Sequence, residues 1–441
     1  MAVAMLISVA AAADRSPQAA LDETMQQLAA SVPAPEFGTT AGEWTVLCLA
    51  RGGYYSTDSK YFSDYYSRIE KTVAETAANV NLEGKLHKVK STENSRLIIA
   101  LSSIGRNAKN VAGIDLVAPL DDFKWLTKQG INGPIFALIS LDSAGYDSQV
   151  RQQCVDYILS KQLSDGGWAL SGNVADPDMT AMALQALVNY RSNSAVESAA
   201  ERGFNCLSSI QQENGGYSSW GSINSESIAQ VIVACTTWGI NPNTDSRFVK
   251  NASAIDALME FYIEEGHGFA HVLEGTDGYS GGEVNGMATD QACYALVSYI
   301  RFLNGQNSLY NMSDVSLHTE NNTAAEDDTP ETDVNTPSSS SKSENTATPD
   351  KPESPAVTEA PKPSATVDES GNKKDKETST AKKKKNKNVS KDKAADEEKN
   401  YDVNGDGVVN AQDAINSMND GDITFAEEIV MWFVNGSVAQ K

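Results

Sequence analysis

One repeated motif constrains the fold of this chain more than any other feature of its sequence. Residues 162–168 read QLSDGGW and residues 211–217 read QQENGGY, and a segment of small apolar residues follows each copy. A turn-forming Asp-Gly-Gly or Asn-Gly-Gly that returns at a regular interval is typical of proteins built from structural repeats. The sequence therefore predicts that successive copies of one supersecondary unit stack around a shared core.

Two kinds of helical segment alternate along residues 14–312. The first kind is apolar nearly all round, which indicates burial on several sides, and it occurs at 42–51, 92–105, 130–141, 178–190, 226–238 and 288–300. The second kind carries charge on one face, and it occurs at 18–31, 60–77, 121–128, 149–161, 195–212 and 252–264. No stretch alternates apolar and polar residues long enough to demand a sheet. We predict an all-α fold, an α6/α6 toroid with six inner and six outer helices.

The overall charge and the N-terminal residues indicate the class of partner and the location. The formal net charge of -24 argues against nucleic acid and anionic membrane surfaces as partners. Residues 1–13 resemble the apolar region and cleavage site of a secretory signal peptide, although no positive charge precedes them. An ordinary first helix is the alternative. No other stretch approaches the ~20 apolar residues of a membrane span, so we expect a secreted, extracellular protein.

The composition of the chain changes after residue 312. Residues 313–400 consist mainly of Ser, Thr, Pro, Glu, Asp and Lys, and such a segment buries too little apolar surface to fold. We predict a disordered linker there. Residues 401–441 contain large apolar side chains again, which predicts a small ordered module.

This last module carries the most specific motif of the sequence. Oxygen-bearing groups occupy positions 1, 3, 5, 7, 9 and 12 of an EF-hand-like calcium loop: Asp402, Asn404, Asp406, Val408, Asn410 and Asp413. Alternate side chains point inward, Val408 offers its backbone carbonyl, and Gly407 permits the sharp turn. We predict a Ca²⁺ site; an acidic turn that binds no metal is the alternative.

With Asp at position 12, the loop resembles the first calcium loop of the dockerin family. A second loop is degraded, because Met418 stands where an oxygen ligand is expected; its remaining oxygen-bearing residues are Asn416, Asp420, Asp422, Thr424 and Glu427. The resemblance implies docking to a cohesin-type scaffold protein, as in a cellulosome. In the family, the contacts lie beside positions matched here by Ala411, Gln412, Phe425 and Ala426.

The toroid resembles the prenyltransferase and squalene-oxidase repeat family, particularly its secreted bacterial members. The resemblance rests on the Gln-x-x-Asp/Asn-Gly-x-aromatic motifs at 162–168 and 211–217, with a weaker echo at 266–269, GHGF. Relatives with this toroid include terpene cyclases, protein prenyltransferases and cobalamin carriers. The resemblance implies the fold, while the activities of these relatives differ.

Residues 176–181, DPDMTA, are similar to the Asp-rich acid motif of class II terpene cyclases, with Met179 at the third aspartate. A general acid needs a raised pKa, and Asp176 and Asp178 are the candidates. The alternative is that these aspartates cap a helix that begins beside Pro177. Polar residues at the start of the other inner segments favour this structural interpretation.

A zinc prenyltransferase would need Asp, Cys and His side chains that converge on one metal. Asp290 and Cys293 are spaced Asp-x-x-Cys, but no histidine follows them within the predicted toroid. His267 and His271 are four residues apart, but Gly266 and Gly268 disfavour a helix there. We therefore expect no zinc.

In a toroid the N-termini of the inner helices meet at one end, where helix dipoles and loops share a mouth. We predict that eight residues line this mouth: Trp168, Asp176, Asp178, Tyr217, Trp220, Glu226, His271 and Asp290. Aromatic side chains beside carboxylates suit a glycan or another small-molecule ligand.

We predict two alternative functions for a toroid with such a mouth. The first is an extracellular binding or accessory module presented on a cohesin-bearing scaffold. The second is an enzyme, either a terpene cyclase relative or a polysaccharide-active α6/α6 glycosidase or lyase. A glycosidase would need two carboxylates about 5 to 10 Å apart, with Asp178 paired with Glu226, Glu93 or Asp290.

Overall fold

The computed structural model describes residues 15–77, 82–219, 221–273 and 281–318. The predicted signal peptide, most of the predicted linker and both predicted calcium loops lie outside these ranges. In the described part of the chain, no helix is long and apolar enough to traverse a bilayer.

Six helices form a closed inner ring, as the sequence predicts. They are α2 (Glu43–Arg51), α4 (Ser91–Ser103), α6 (Asn132–Ser143), α8 (Pro177–Leu187), α10 (Ser225–Thr237) and α12 (Gly286–Leu303). Each packs against the next in this order, and α12 packs against α2. This last contact joins helices that are far apart in sequence and closes the toroid.

Six further helices alternate with the inner ones and form the outer layer. They are α1 (Pro17–Ser31), α3 (Lys60–Ala77), α5 (Phe123–Leu126), α7 (Arg151–Ser160), α9 (Ser194–Ile210) and α11 (Ala254–Met259). Helices α5 and α11 are shorter than predicted. Asp122 caps α5 by accepting a hydrogen bond from the Trp125 backbone N–H, so the helix starts later. The predicted helix 252–264 ends at Met259, because the next residues form a hairpin.

Two short antiparallel hairpins join outer helices to inner ones at the mouth. Strands β1 (Ser218–Ser219) and β2 (Ser222–Ile223) precede α10, and β3 (Tyr262–Ile263) and β4 (Gly268–Phe269) precede α12. They are too short to show as an alternating pattern in the sequence.

The repeated motif is a hydrogen-bonded turn that links an outer helix to the following inner helix. The Gln162 side chain donates to the carbonyls of Gly166 and Ala199, and the Gln211 side chain donates to those of Gly215 and Phe248. The same residue types therefore make the same bonds in both copies, which confirms the repeat. The weaker third copy at 266–269 lies in the loop before α12 and shares only the last glycine and the aromatic residue of the motif.

The first glycine of each turn is required by backbone conformation and by space. Gly166 and Gly215 have φ of +92° and +83°, in the left-handed region that disfavours other residues. A Cβ on Gly166 would lie 2.8 Å from the Arg202 carbonyl oxygen, and one on Gly215 would lie 2.3 Å from that of Ser253. Each glycine thus allows the turn to touch the next outer element.

The ordered toroid extends beyond the predicted boundary at residue 312. The Arg51 side chain donates to the carbonyls of Ser308, Leu309 and Asn311 and forms an ion pair with Asp314. The His318 N–H donates to the Gly105 carbonyl. We call residues 305–318 the C-terminal strap. Hydrogen bonds from the buried Arg51 side chain hold this strap in place. The polar composition of the segment does not indicate this order.

Candidate functional site

A cavity of about 160 Å³ lies at the end of the ring where inner helices begin. A cavity of about 150 Å³ admits one benzene ring, so this one accommodates a ligand group of roughly one six-membered ring. Its walls combine carboxylates, amides and aromatic rings: Trp44, Asn132, Phe136, Ala169, Leu170, Ser171, Val174, Asp176, Asp178, Met179, Met182, Glu226, Gln230, Gln291, Tyr294 and Tyr310.

The helical phase decides which residues face this cavity. Helices α8, α10 and α12 are capped by Asp176, Asn224 and Asn285, and each cap N–H donates to the carbonyl of the aromatic residue that ends the preceding turn. The three helices therefore start in the same register. Residues two and six places after the cap lie one helical turn apart on one face. In α8 and α10 these positions hold the cavity residues Asp178, Met182, Glu226 and Gln230.

Asp176 has a structural role as a helix cap as well as a position on the cavity wall. Its Oδ1 accepts a hydrogen bond from the Met179 N–H at 2.9 Å, and its Oδ2 accepts one from the Ser219 hydroxyl at 2.5 Å. Burial raises the pKa of Asp176, while these two donors oppose the rise. The capping hypothesis is confirmed for Asp176.

Asp178 does not cap the helix. Its Oδ1 is buried, and no described residue lies within hydrogen-bond distance of it. Burial raises the pKa of Asp178 well above its ordinary value, and the negative charge of Asp176 raises it further. The hydroxyl of Ser227 and that of Ser219 only partly oppose these effects, while Glu226 adds to them. A carboxyl group in this environment retains its proton and can act as a general acid.

Glu226 and His271 form a pair beside Asp178. Oε2 of Glu226 lies 2.8 Å from Nδ1 of His271, and the Glu226 side chain is 6% exposed. Its Oε1 is buried and has no hydrogen-bond partner among the described residues. The hydrogen bond to Glu226 raises the pKa of His271, so the imidazole stays protonated to higher pH. Oε1 of Glu226 is thus an acceptor that a ligand or water can use.

Aromatic rings form part of the cavity wall. The Trp44 ring lies 6.3 Å from that of Phe136 and 5.8 Å from that of Tyr294. Tyr310 of the C-terminal strap also lines the cavity. A sugar ring or a positive charge can pack against such faces.

A network of amides connects three inner helices along the cavity. The Gln185 side chain donates to Oε1 of Gln230 at 3.1 Å, and the Gln230 side chain donates to Oε1 of Gln291 at 3.0 Å. The Tyr294 hydroxyl donates to the same oxygen of Gln291 at 3.0 Å. These bonds fix the orientation of Gln230 and Gln291, both of which line the cavity.

The structure brings together only some of the predicted mouth residues. Asp176, Asp178 and Glu226 line the cavity, and His271 contacts it through Glu226. Trp168 and Tyr217 are wrong as mouth residues, because both rings are fully buried away from it. The Trp168 indole donates to the Ile158 carbonyl in the adjacent outer helix. Trp220 lies outside the described residues.

Asp290 also lies away from the cavity. It precedes Gln291 by one residue and so points about 100° away around the helix. Its Oδ1 accepts a hydrogen bond from the Thr45 hydroxyl at 2.8 Å, in the contact between α12 and α2. Burial raises the pKa of Asp290 to about 7. Neither Asp290 nor Glu93, the other predicted partners of Asp178, is among the residues that line the cavity, and Glu93 binds Arg96.

The side chains considered for zinc point to different partners. Cys293 contacts Cys48, and His267 lies 3.1 Å from Glu23. Among the described residues, no group of three or more His, Cys, Asp or Glu side chains is arranged to hold a metal ion.

Several cavity residues escaped prediction from the sequence. Gln230 and Gln291 could have been found by counting four residues on from the second helical position. Asn132 lies at the start of α6, where no acidic residue draws attention to it. Tyr310 gave no signal, because it belongs to a segment with no helical periodicity.

Comparisons with known proteins are limited to the fold. No protein-family model and no curated protein sequence matches the chain, so the predicted family memberships stay predictions.

The toroid is similar to solved structures of unsaturated glucuronyl hydrolases. The enzyme from Bacillus sp. GL1, which degrades glycosaminoglycan, matches with a TM-score of 0.46 and 13% identity, over 68% of this chain and 100% of that chain. A mutant of the enzyme from Streptococcus agalactiae matches with a TM-score of 0.46 and 13% identity, over 66% of this chain and 92% of that chain. The contacts between the helices of this chain establish its α6/α6 toroid independently of this similarity.

Proposed function

We propose that the toroid is a hydrolase that removes one terminal sugar unit from a saccharide. One observation carries the proposal: Asp178 and Glu226 occupy equivalent positions on adjacent helices, line one cavity and each present a buried oxygen with no hydrogen-bond partner among the described residues. Neighbouring groups also distinguish their roles, since His271 binds Glu226 while, within the described ranges, the charged groups that act on Asp178 are the carboxyl groups of Asp176 and Glu226. Two carboxyl groups in unlike environments are the usual basis for acid and base roles in glycoside hydrolysis.

In the proposed reaction, Asp178 donates its proton to the glycosidic oxygen as the bond from that oxygen to the anomeric carbon breaks. Glu226 accepts a proton from a water molecule whose oxygen bonds to the anomeric carbon. The sugar gains the hydroxyl and the leaving group gains the proton of Asp178. Asp178 then takes a proton from solvent, and Glu226 releases to solvent the proton that it accepted from water. His271 holds Glu226 in place through the bond at 2.8 Å.

The cavity explains the proposed preference for a chain end. Its volume of about 160 Å³ suits one ring, and Tyr310 contributes to its wall from the C-terminal strap. The aromatic wall would stabilise the positive charge that develops on the ring in the transition state. A folded polyprenyl chain would need a larger space, since pockets for drug-sized ligands measure about 300–1,000 Å³. The cavity therefore favours the glycosidase alternative over the terpene cyclase.

The sequence outside the described residues supplies the proposed location. A signal peptide at residues 1–13 and a calcium loop from Asp402 to Asp413 would place the toroid outside the cell, attached to a cohesin-type scaffold. A polysaccharide substrate is consistent with that setting. These statements rest on the sequence motifs alone.

The test is hydrolysis of a panel of nitrophenyl glycosides that carry neutral, amino and uronic sugars. We expect release of nitrophenol from at least one of them, and a loss of about 10²-fold or more in Asp178→Asn and Glu226→Gln. Asp290→Asn is the matched control, because this buried carboxyl lies outside the cavity. Full activity in Asp178→Asn would refute the assigned acid. Sugar binding without hydrolysis of any glycoside would favour the binding-module function instead.

A further inference from the structure

The walls of the cavity are unbalanced in charge. Asp176, Asp178 and Glu226 line it, and none of the described lining residues is Lys, Arg or His. His271 is the basic group close by, and its Nδ1 is engaged by Glu226. Among the described residues, His271 binds Glu226, while no cation pairs with Asp176.

The two aspartates of the lining differ in their hydrogen bonds. The Met179 N–H and the Ser219 hydroxyl both donate to Asp176, and hydrogen bonds of this kind favour the ionised form of a carboxyl group, against the effect of burial. One oxygen of Asp178 has no donor among the described residues, and burial raises the pKa of Asp178 well above its ordinary value. Asp176 is therefore the aspartate better suited to pair with a cation.

The aromatic rings that line the same cavity are also suited to a positive charge. The rings of Trp44 and Tyr294 lie 5.8 Å apart, and a cation over either face within about 6 Å is attracted by the ring electrons. Because the cavity holds about one ring, one ligand can meet the aromatic wall and Asp176 at once. The nearly buried Glu226, with an unpartnered Oε1, adds a second acceptor.

From these observations we infer that the cavity selects a sugar ring that carries a protonated amino group, with Asp176 as its counter-ion. This inference rests on the proposed function, because it names the substrate class of that site. The ammonium group of a hexosamine would interact with both the aromatic rings and Asp176. A uronic acid would place a further negative charge beside two carboxylates, and the cavity rejects it.

Calorimetry on the full chain with three sugars tests this inference. The probes are D-glucosamine, D-glucose and D-glucuronate at about pH 6, where the amine is protonated. We expect glucosamine to bind about 10-fold more tightly than glucose, and glucuronate to bind most weakly. N-acetylglucosamine, which has no charge, should match glucose. Equal binding of the three sugars, tighter binding of glucuronate, or no binding of any would overturn the inference.

The decisive variant is Asp176→Asn. Asparagine also caps helices, so the fold persists, as a thermal melt will verify. The variant should lose the preference for glucosamine over glucose. Asp156→Asn, which changes an exposed carboxyl on α7, should retain the preference. An unchanged preference in Asp176→Asn would contradict the assigned counter-ion.

The two proposals can fail separately. Hydrolysis of neutral glycosides with no preference for the amine would leave the hydrolase standing and remove the inference. Preferential binding of glucosamine with no hydrolysis of any glycoside would do the reverse.

Discussion

The contact that closes the ring contains an ionisable group that should make stability depend on pH. Asp290 of α12 is 1% exposed, and burial raises its pKa to about 7 from an ordinary value of 3.8. The folded state therefore binds a proton that the unfolded state releases between about pH 4 and 7. Its contribution to stability is fully present below the ordinary pKa and is lost as the pH rises through the folded pKa.

The expected size of this loss follows from the two pKa values. They differ by about 3, and each unit corresponds to about 1.4 kcal/mol, so the loss is of the order of 4 kcal/mol. Asp290→Asn has a similar shape, no charge, and an oxygen that the Thr45 hydroxyl can still donate to. The variant should match the wild type near pH 4 and exceed its free energy of unfolding by a few kcal/mol at pH 8.

Urea denaturation followed by tryptophan fluorescence, at several pH values and constant salt, measures this difference. The difference between variant and wild type isolates Asp290 from the other carboxyl groups that titrate. Thr45→Val is a useful companion, because the Thr45 hydroxyl lowers the pKa of Asp290 and its loss should extend the pH dependence upward. A difference between Asp290→Asn and wild type that is the same at pH 4 and pH 8 would refute the reasoning.

Three further predictions concern the strap, the acid and the calcium loop. Arg51→Met should lower the free energy of unfolding by about 2–4 kcal/mol, because three carbonyls of the strap lose the Arg51 donor and Asp314 loses one of its two arginine partners, Arg51, while it keeps Arg301; an unchanged chemical denaturation midpoint would contradict this. Activity should persist above the ordinary pH range of a carboxylic acid and fall as Asp178 loses its proton, since its pKa is raised; a pH profile that falls near pH 4 would contradict it. Calorimetry should show calcium binding to the full chain that Asp402→Ala abolishes, and equal heat in both proteins would remove the predicted loop.

Much of the fold could be predicted from the sequence because it depends on local signals. The Gln-x-x-Asp/Asn-Gly-Gly motif fixes its own turn through short-range bonds, and glycines there are needed for conformation and space. Helical segments show as runs of 9 to 18 residues in α2, α4, α6, α8, α10 and α12, with boundaries within a few residues of those predicted. The helix predicted at 252–264 was longer than the observed α11. The hairpin that follows α11 has only two residues per strand, so it leaves no periodic pattern in the sequence.

Part of the candidate site was predictable and part was not. Asp178 and Glu226 were chosen as polar residues at helix starts, and the common register of the caps brings both to one cavity. Trp168 and Tyr217 were chosen as aromatic residues of the turns at the same end of the ring; both are core residues, because aromatic rings at a tight turn pack between inner and outer layers. Residue type alone cannot distinguish a cavity residue from a core residue at this end of the ring.

The sequence by itself determined the repeat, the alternation of inner and outer helices, and the end of the ring where polar residues gather. Only the tertiary structure decided which of these residues share a cavity. A difference of one residue turns a side chain by about 100°, which sends Asp290 into the contact with α2 while Gln291 faces the cavity. Ring closure between α2 and α12, and the strap that delivers Tyr310, depend on contacts between distant parts of the chain, and no local pattern encodes them.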